Sequence, residues 1–116
     1  MRRLSLIIAT YNRSEQLMVT LRSVAAQSAE PLQWECIVVD NNSQDDTRQR
    51  VEEFASAHTQ LCVRYLFEPK QGLSHARNAG IVAAEGEILA FIDDDERIVE
   101  EFVEAVKNEE IDFEGL

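Results

Sequence analysis

No stretch of this chain supplies the roughly 20 consecutive apolar residues that a membrane-spanning helix needs. The apolar opening, Leu4-Ser5-Leu6-Ile7-Ile8-Ala9, is too short for a secretory leader and runs into Tyr11-Asn12-Arg13 without a small-residue cleavage pattern. Glycine is scarce, with 4 in 116 residues, and neither GxxxxGK followed by Ser or Thr nor GxGxxG occurs. P-loop and dinucleotide-binding folds therefore lack their phosphate-cradling glycines. The 2 cysteines, Cys36 and Cys62, show no metal-ligand spacing and lie in apolar runs, which predicts buried, reduced thiols in a cytosolic setting. Positive charge is short as well. With 11 basic against 22 acidic side chains the net charge is −11, which argues against a nucleic-acid surface.

The charge is unevenly spread. Residues 1–92 carry 11 acids and 9 bases (−2), whereas residues 93–116 carry 11 acids and 2 bases (−9). The border falls where Ile88-Leu89-Ala90-Phe91-Ile92 ends in Asp93-Asp94-Asp95-Glu96. The apolar half is continuous rather than alternating, as in a strand buried on both faces. Four adjacent carboxylates cannot be buried unpaired, so they leave the core at the carboxyl end of that strand. In open α/β sheets ligands sit along that edge. Carboxylates at i and i+2 behind a strand offer hard oxygen donors to a divalent cation. A solvated acidic turn is the competing reading of the run taken alone. An EF-hand is excluded, because with Asp93 as the first position of the loop the required glycine is Ile98.

At this length the chain is one domain with one core. Leu4–Ala9 reads as a first strand, followed by a turn at Thr10-Tyr11-Asn12-Arg13. Ser14 is placed to cap a helix bearing Leu17, Leu21, Val24 and Ala25, which ends near Gln27-Ser28 before Pro31. Trp34–Val39 is a second strand ending at Asp40. Ser43 with Asp46 resembles a capping box for a helix with Val51, Phe54, Ala55 and His58 on one face. Leu61–Phe67 is a third strand, stopped by Pro69. Ser74 is placed to cap a small-residue helix running to about Ala84, with Gly86 as its stop. Glu87–Ile92 is the fourth strand, and Ile98, Val99, Phe102, Val103 and Val106 predict a last helix. This alternation predicts a parallel sheet with helices on both faces. Successive right-handed crossovers and one reversal give the strand order 3-2-1-4. The crevice at the reversal then gathers Thr10-Tyr11-Asn12 and Asp93-Asp94-Asp95, with Asp40 arriving from strand 2.

Each of these groups has a use in a nucleotide site. The Tyr11 ring can stack on a base, Asp40 can accept from a base imide or a ribose, and Arg77 can approach a diphosphate near a helix start. Each also has a plain reading: surface tyrosine, turn aspartate, exposed arginine. His58, His75 and Asn78 read as structural.

Taken together, Leu6 to Arg13, Ile37 to Asp45, Gly72 to Gly80 and Phe91 to Asp95 resemble the motifs of family 2 glycosyltransferases of the GT-A fold, in the family's order. The resemblance implies a Rossmann-like three-layer α/β/α domain over residues 1–116, the nucleotide-binding half of such an enzyme. It implies inverting, metal-dependent transfer of a sugar from a nucleotide-linked donor, usually a UDP-sugar, to an acceptor hydroxyl. The implied nucleotide-binding set is Thr10, Tyr11, Asn12, Asp40, Arg77, Asp93 and Asp94. Asp95 is placed on Mn²⁺ or Mg²⁺, which would neutralise the departing diphosphate. The family's carboxylate base lies well downstream of the acidic run, and no position here matches it. It is expected beyond Leu116, and the chain is expected to be a donor-binding half that is inactive alone.

The acceptor is expected to be a glycan, lipid-linked or protein group. A cytoplasmic placement is expected, with access to the inner membrane face through parts beyond this chain. The edge of strand 4 is expected to promote self-association. Two other classes stand beside this one. A non-catalytic nucleotide- and metal-binding module could use the same half-fold. A sugar-1-phosphate nucleotidyltransferase would need a glycine-rich loop where Thr10-Tyr11-Asn12 stands.

Overall fold

The computed structural model describes residues 4–26, 34–59 and 61–94. Seven elements alternate along them: β1 (Leu4–Thr10), α1 (Ser14–Ala25), β2 (Trp34–Asp40), α2 (Thr47–Ala57), β3 (Cys62–Phe67), α3 (Leu73–Ala83) and β4 (Ile88–Asp93). The four strands form one sheet in the order β3-β2-β1-β4, with every pair parallel. The register sets Thr10 beside Asp40, Asp40 beside Phe67, and Ala9 beside Asp93. All four carboxyl ends therefore finish nearly level. The expected last helix lies outside the described residues.

The strands read as continuous apolar runs because both faces of the sheet are covered. Leu6, Ile8, Cys36 and Val38 pack with Leu17, Leu21 and Val24 of α1 and with Val51 and Phe54 of α2. On the opposite face Ile7, Ile37 and Val39 pack with Ala76 of α3. Neighbouring residues of one strand thus serve different cores, the period of two that a pleated strand imposes. Burying a side chain of this size contributes about 1.5–3 kcal/mol, so the two clusters are the main source of stability. The three-layer α/β/α arrangement and the order 3-2-1-4 are as the sequence predicts.

The helix ends differ from expectation, and the reason is tertiary. Ser14 is the first helical residue of α1 rather than its cap, and its N–H donates to Asp45 Oδ2 at 3.2 Å. Ser43 and Asp46 form no capping box; α2 begins at Thr47, whose N–H donates to Asp45 Oδ1 at 3.1 Å. Asp45 therefore serves two helix starts at once. Burial pushes its carboxyl up, but the bonds from Thr47 and Ser14 outweigh this and hold it below the usual carboxylate range. Helix α3 starts at Leu73, so Ser74 does not cap it, and it stops at Ala83 before Gly86 is reached. Its exit is set by the amino edge of the sheet, where Glu85 N–H donates to Glu35 Oε2 and Gly86 N–H to Ser5 Oγ. A Cβ on Gly86 would lie 2.7 Å from the Ser5 backbone nitrogen, so the glycine permits this approach.

The thiols divide. Cys36 is buried, and burial pushes its pKa up to about 12, with Cys62 and Glu35 adding to the rise. Cys62 is half-buried, because β3 lies at the side of the sheet. His58 closes α2, with its ring stacked on Phe54 at 3.9 Å. Among the described residues no helix is long and apolar enough to cross a membrane.

Candidate functional site

At the carboxyl edge the chain leaves β1, β2 and β3 by three tight loops, and each holds one residue in the left-handed region. These are Asn12 (φ 51°), Asn42 (φ 70°) and Gly72 (φ 132°). Asparagine tolerates that region better than most side chains and glycine enters it freely. The first two loops are laced together: Asn12 N–H donates to Ser43 Oγ at 2.8 Å, and Gln44 N–H to Asn12 Oδ1 at 2.7 Å. Tyr11 sits on this laced turn and is 45% exposed.

Between β1 and β4, where the strand order reverses, lies an open cleft of about 520 Å³. Thr10, Tyr11, Arg13, Asn41, Leu73 and Asp93 line it, together with Ala9 and Asp94. Of the sequence-derived candidates it gathers Thr10, Tyr11, Asp93 and Asp94. Asp93 is the last residue of β4 and is exposed. Asp94 is 6% exposed: its Oδ2 accepts from Thr10 Oγ1 at 3.0 Å, and Arg13 Nη1 stands 3.4 Å from its Oδ1. The Asp94 carbonyl accepts from Thr20 Oγ1 of α1 at 2.8 Å. One turn thus bonds to both β1 and α1, so the two neighbouring aspartates have different environments. Asp94 ties the turn to the scaffold, while Asp93 faces solvent.

Asn12, Asp40 and Arg77 do not line this cleft. Asn12 laces the loops. Asp40 is 2% exposed, with Oδ1 accepting from Ser43 N–H at 2.8 Å and Oδ2 from the Tyr65 hydroxyl at 2.6 Å. Burial, with that bond added, raises the Tyr65 pKa well above its ordinary value. Arg77, one turn into α3, lies over the Phe91 ring at 5.4 Å, the geometry of a cation–π contact. Asp95 lies outside the described residues.

Four lining residues are not among the site residues that the sequence suggests: Ala9, Arg13, Asn41 and Leu73. Arg13 continues the turn that carries Tyr11, and its side chain is 45% exposed. It supplies positive charge where composition suggested little. Asn41 follows Asp40 directly, and Leu73 follows the loop glycine. Each lies inside one of the family-like stretches, and nothing local sets it apart there.

The donors present suit a hard cation only in a shared site. Among the described residues no group of three or more His, Cys, Asp or Glu side chains converges on one point. Mg²⁺ and Mn²⁺ are commonly held by one or two carboxylates, with substrate phosphates and water completing the shell. Asp93 is a carboxylate of that kind.

Comparison with known proteins bears on this geometry. A profile described as glycosyl transferase family 2 matches residues 5–109. Glycosyltransferase AglE of Haloferax volcanii is 38% identical over 91 residues, which is 78% of this chain and 30% of that protein. The structure of Staphylococcus aureus TarS 1-349 in complex with UDP matches with a TM-score of 0.83 and 30% identity, covering 91% of this chain and 31% of TarS 1-349. Mannosyltransferase PcManGT from Pyrobaculum calidifontis, in complex with GDP-Man and Mn²⁺, matches with a TM-score of 0.84 and 30% identity, over 92% of this chain and 32% of that one. The chain spans about a third of the length of each of these three.

Proposed function

This chain belongs to glycosyl transferase family 2, and on that premise we propose that it forms the donor-binding part of a transferase using a nucleoside-diphosphate sugar. The donor is a UDP-sugar, and the reaction moves the sugar to an acceptor hydroxyl with inversion. The observation that carries this reading is the cleft at the strand-order reversal, with an exposed aromatic ring on one strand end and an exposed carboxylate on the other. The complexes of TarS with UDP and of PcManGT with GDP-Man and Mn²⁺ support it.

Tyr11 stacks on the base, its ring exposed on a turn that the Asn12–Ser43 lacing keeps from collapsing. Asp93 faces the ribose and diphosphate. Asp94 acts from behind, fixing the turn through Thr10, and Arg13 brings positive charge to the phosphate side. Asp95 would hold the divalent cation, which neutralises the leaving diphosphate when bound. Asp40 acts from behind the turn, keeping Tyr65 and the Ser43 backbone in place. The acceptor is a glycan, lipid-linked or protein hydroxyl.

Calorimetry of the chain with UDP, with Mn²⁺ and with EDTA, tests the reading. Binding is expected with Mn²⁺ and to weaken at least tenfold in EDTA, and Asp95→Ala is expected to remove the difference. Equal affinity in both buffers would overturn the metal role. No binding in either would overturn the nucleotide reading.

A further inference from the structure

Among the residues that line the cleft, Asn41 makes three side-chain hydrogen bonds to a single loop. It is 7% exposed and immediately follows β2. Its side-chain Nδ2 donates to the Glu68 carbonyl at 3.1 Å and to the Lys70 carbonyl at 2.9 Å. Its Oδ1 accepts from Gly72 N–H at 3.0 Å, and its backbone carbonyl accepts from Gln71 Nε2 at 2.9 Å. Its own N–H donates to the Thr10 carbonyl at 2.8 Å. One residue therefore links the end of β1 to the whole loop between β3 and α3.

The chemistry demands an amide. Two carbonyls lie where a donor must be and one N–H where an acceptor must be, and only a carboxamide offers both at this size. Aspartate has the same shape but is an acceptor only when ionised. It would face the Glu68 and Lys70 carbonyls with negative oxygen and leave both without their donor. The loop so held ends in Gly72, at a left-handed φ that it must keep for α3 to start where it does. Leu73, the first residue of α3, lines the same cleft as Tyr11 and Asp93.

We propose that Asn41 is a positioning residue of this cleft: its carboxamide holds the 68–72 loop so that Leu73 and the start of α3 form a wall against a bound nucleoside diphosphate. This rests on the nucleotide reading above, and the two can be separated. The probes are UDP affinity by calorimetry and the exchange rate of the Gly72 amide in the free chain, which needs no ligand. Both are measured well below the melting temperature. Asn41→Asp is compared with Ser5→Ala, which breaks hydrogen bonds at the far edge of the sheet.

Asn41→Asp is expected to speed Gly72 exchange and to weaken UDP binding, each by tenfold or more. Ser5→Ala is expected to lower the melting temperature and leave both probes unchanged. If Asn41→Asp does not fold, Asn41→Ser, which keeps one donor and one acceptor on a shorter stem, replaces it with an intermediate loss expected. Wild-type affinity and Gly72 exchange in the variant that folds would overturn the proposal. So would affinity losses in the Asn41 and Ser5 variants that simply track their losses of stability. If the wild-type chain binds no UDP, the nucleotide reading fails and the wall has no ligand to meet. Gly72 exchange then still decides whether Asn41 holds the loop.

Discussion

At the amino edge of the sheet Glu35 is 0% exposed, accepting from Ser5 Oγ at 2.7 Å and from Arg64 Nη1 at 3.0 Å. At the carboxyl edge Asp94 is 6% exposed, accepting from Thr10 Oγ1 at 3.0 Å with Arg13 Nη1 at 3.4 Å. Each end of the sheet thus holds a buried acid, a hydroxyl from β1 and an arginine. Their surroundings differ. Around Glu35 the N–H of Glu85 fills a further acceptor position, Arg64 also reaches the Ala83 carbonyl, and Gly86 lies against the Ser5 backbone. Around Asp94 the same trio stands beside an open cleft with Tyr11 and Asp93 at its rim. The lesson is that the buried acid ties down its own edge of the sheet in both places. At the carboxyl edge it does so beside an open cleft, where Tyr11, Asp93 and the half-exposed Arg13 are the groups within reach of a ligand.

If so, breaking the amino-edge trio should cost stability and spare binding. Glu35→Ala leaves Ser5 and the Glu85 N–H without their acceptor, and removing one partner of a buried pair typically costs 3–5 kcal/mol. Arg64 keeps about a third of its surface in solvent, so roughly 3 kcal/mol is expected. Denaturant melts should show this loss, with UDP affinity unchanged at temperatures where the variant is folded. The pH dependence carries the same signature. Burial raises the Glu35 carboxyl, but the Glu85 N–H, Ser5 and Arg64 outweigh it and hold the group below its ordinary value. A depressed native value contributes stability above the unfolded-state value of about 4.3, and this is lost as pH falls through the native one. Melts from pH 6 to pH 3 should therefore fall less steeply for Glu35→Ala than for the wild type. Parallel curves would mean that Glu35 is not held in this way.

The converse change at the other edge is smaller and of the opposite kind. Tyr11→Ala should weaken uridine and UDP alike by roughly 1–3 kcal/mol, the worth of base stacking. Stability should move by no more than about 0.5 kcal/mol, since the ring is a surface group. A loss for UDP with uridine untouched would put Tyr11 on the phosphates and undo the division of roles at that edge.

The smallest effect concerns a third boundary, the side of the sheet. Among the described residues β4 pairs with β1 alone, and Phe91 is 41% exposed. Such an edge can template another chain, while a net charge of −11 opposes close approach. Salt screens that charge within about 10 Å at 0.1 M. A modest dimer fraction, rising with salt in sedimentation, is expected. A monomer at low and high salt would mean that this edge is covered.

The sequence by itself determined the alternation of strands and helices, the parallel sheet, its order and the edge on which a ligand would sit. Those depend on continuous apolar runs, their spacing and the handedness of crossovers, which are local or general. Tyr11 and the acidic run were legible for the same reason, since each follows a strand end. Only the tertiary structure decided which carboxylates remain available. Asp93 and Asp94 are adjacent in the chain, yet one is exposed and the other faces Thr10 and Arg13. Asp40 is engaged by Tyr65, 25 residues on. The cap of α1 was illegible as well, because Asp45 reaches it from 31 residues away. Asn41 lies in the family-like stretch Ile37 to Asp45, but its role is illegible there, since an asparagine after a strand is an ordinary turn residue until a distant loop supplies two carbonyls and an N–H. Local patterning tells which groups reach the edge of the sheet, whereas hydrogen bonds between residues far apart in the chain decide which of them are still free to bind.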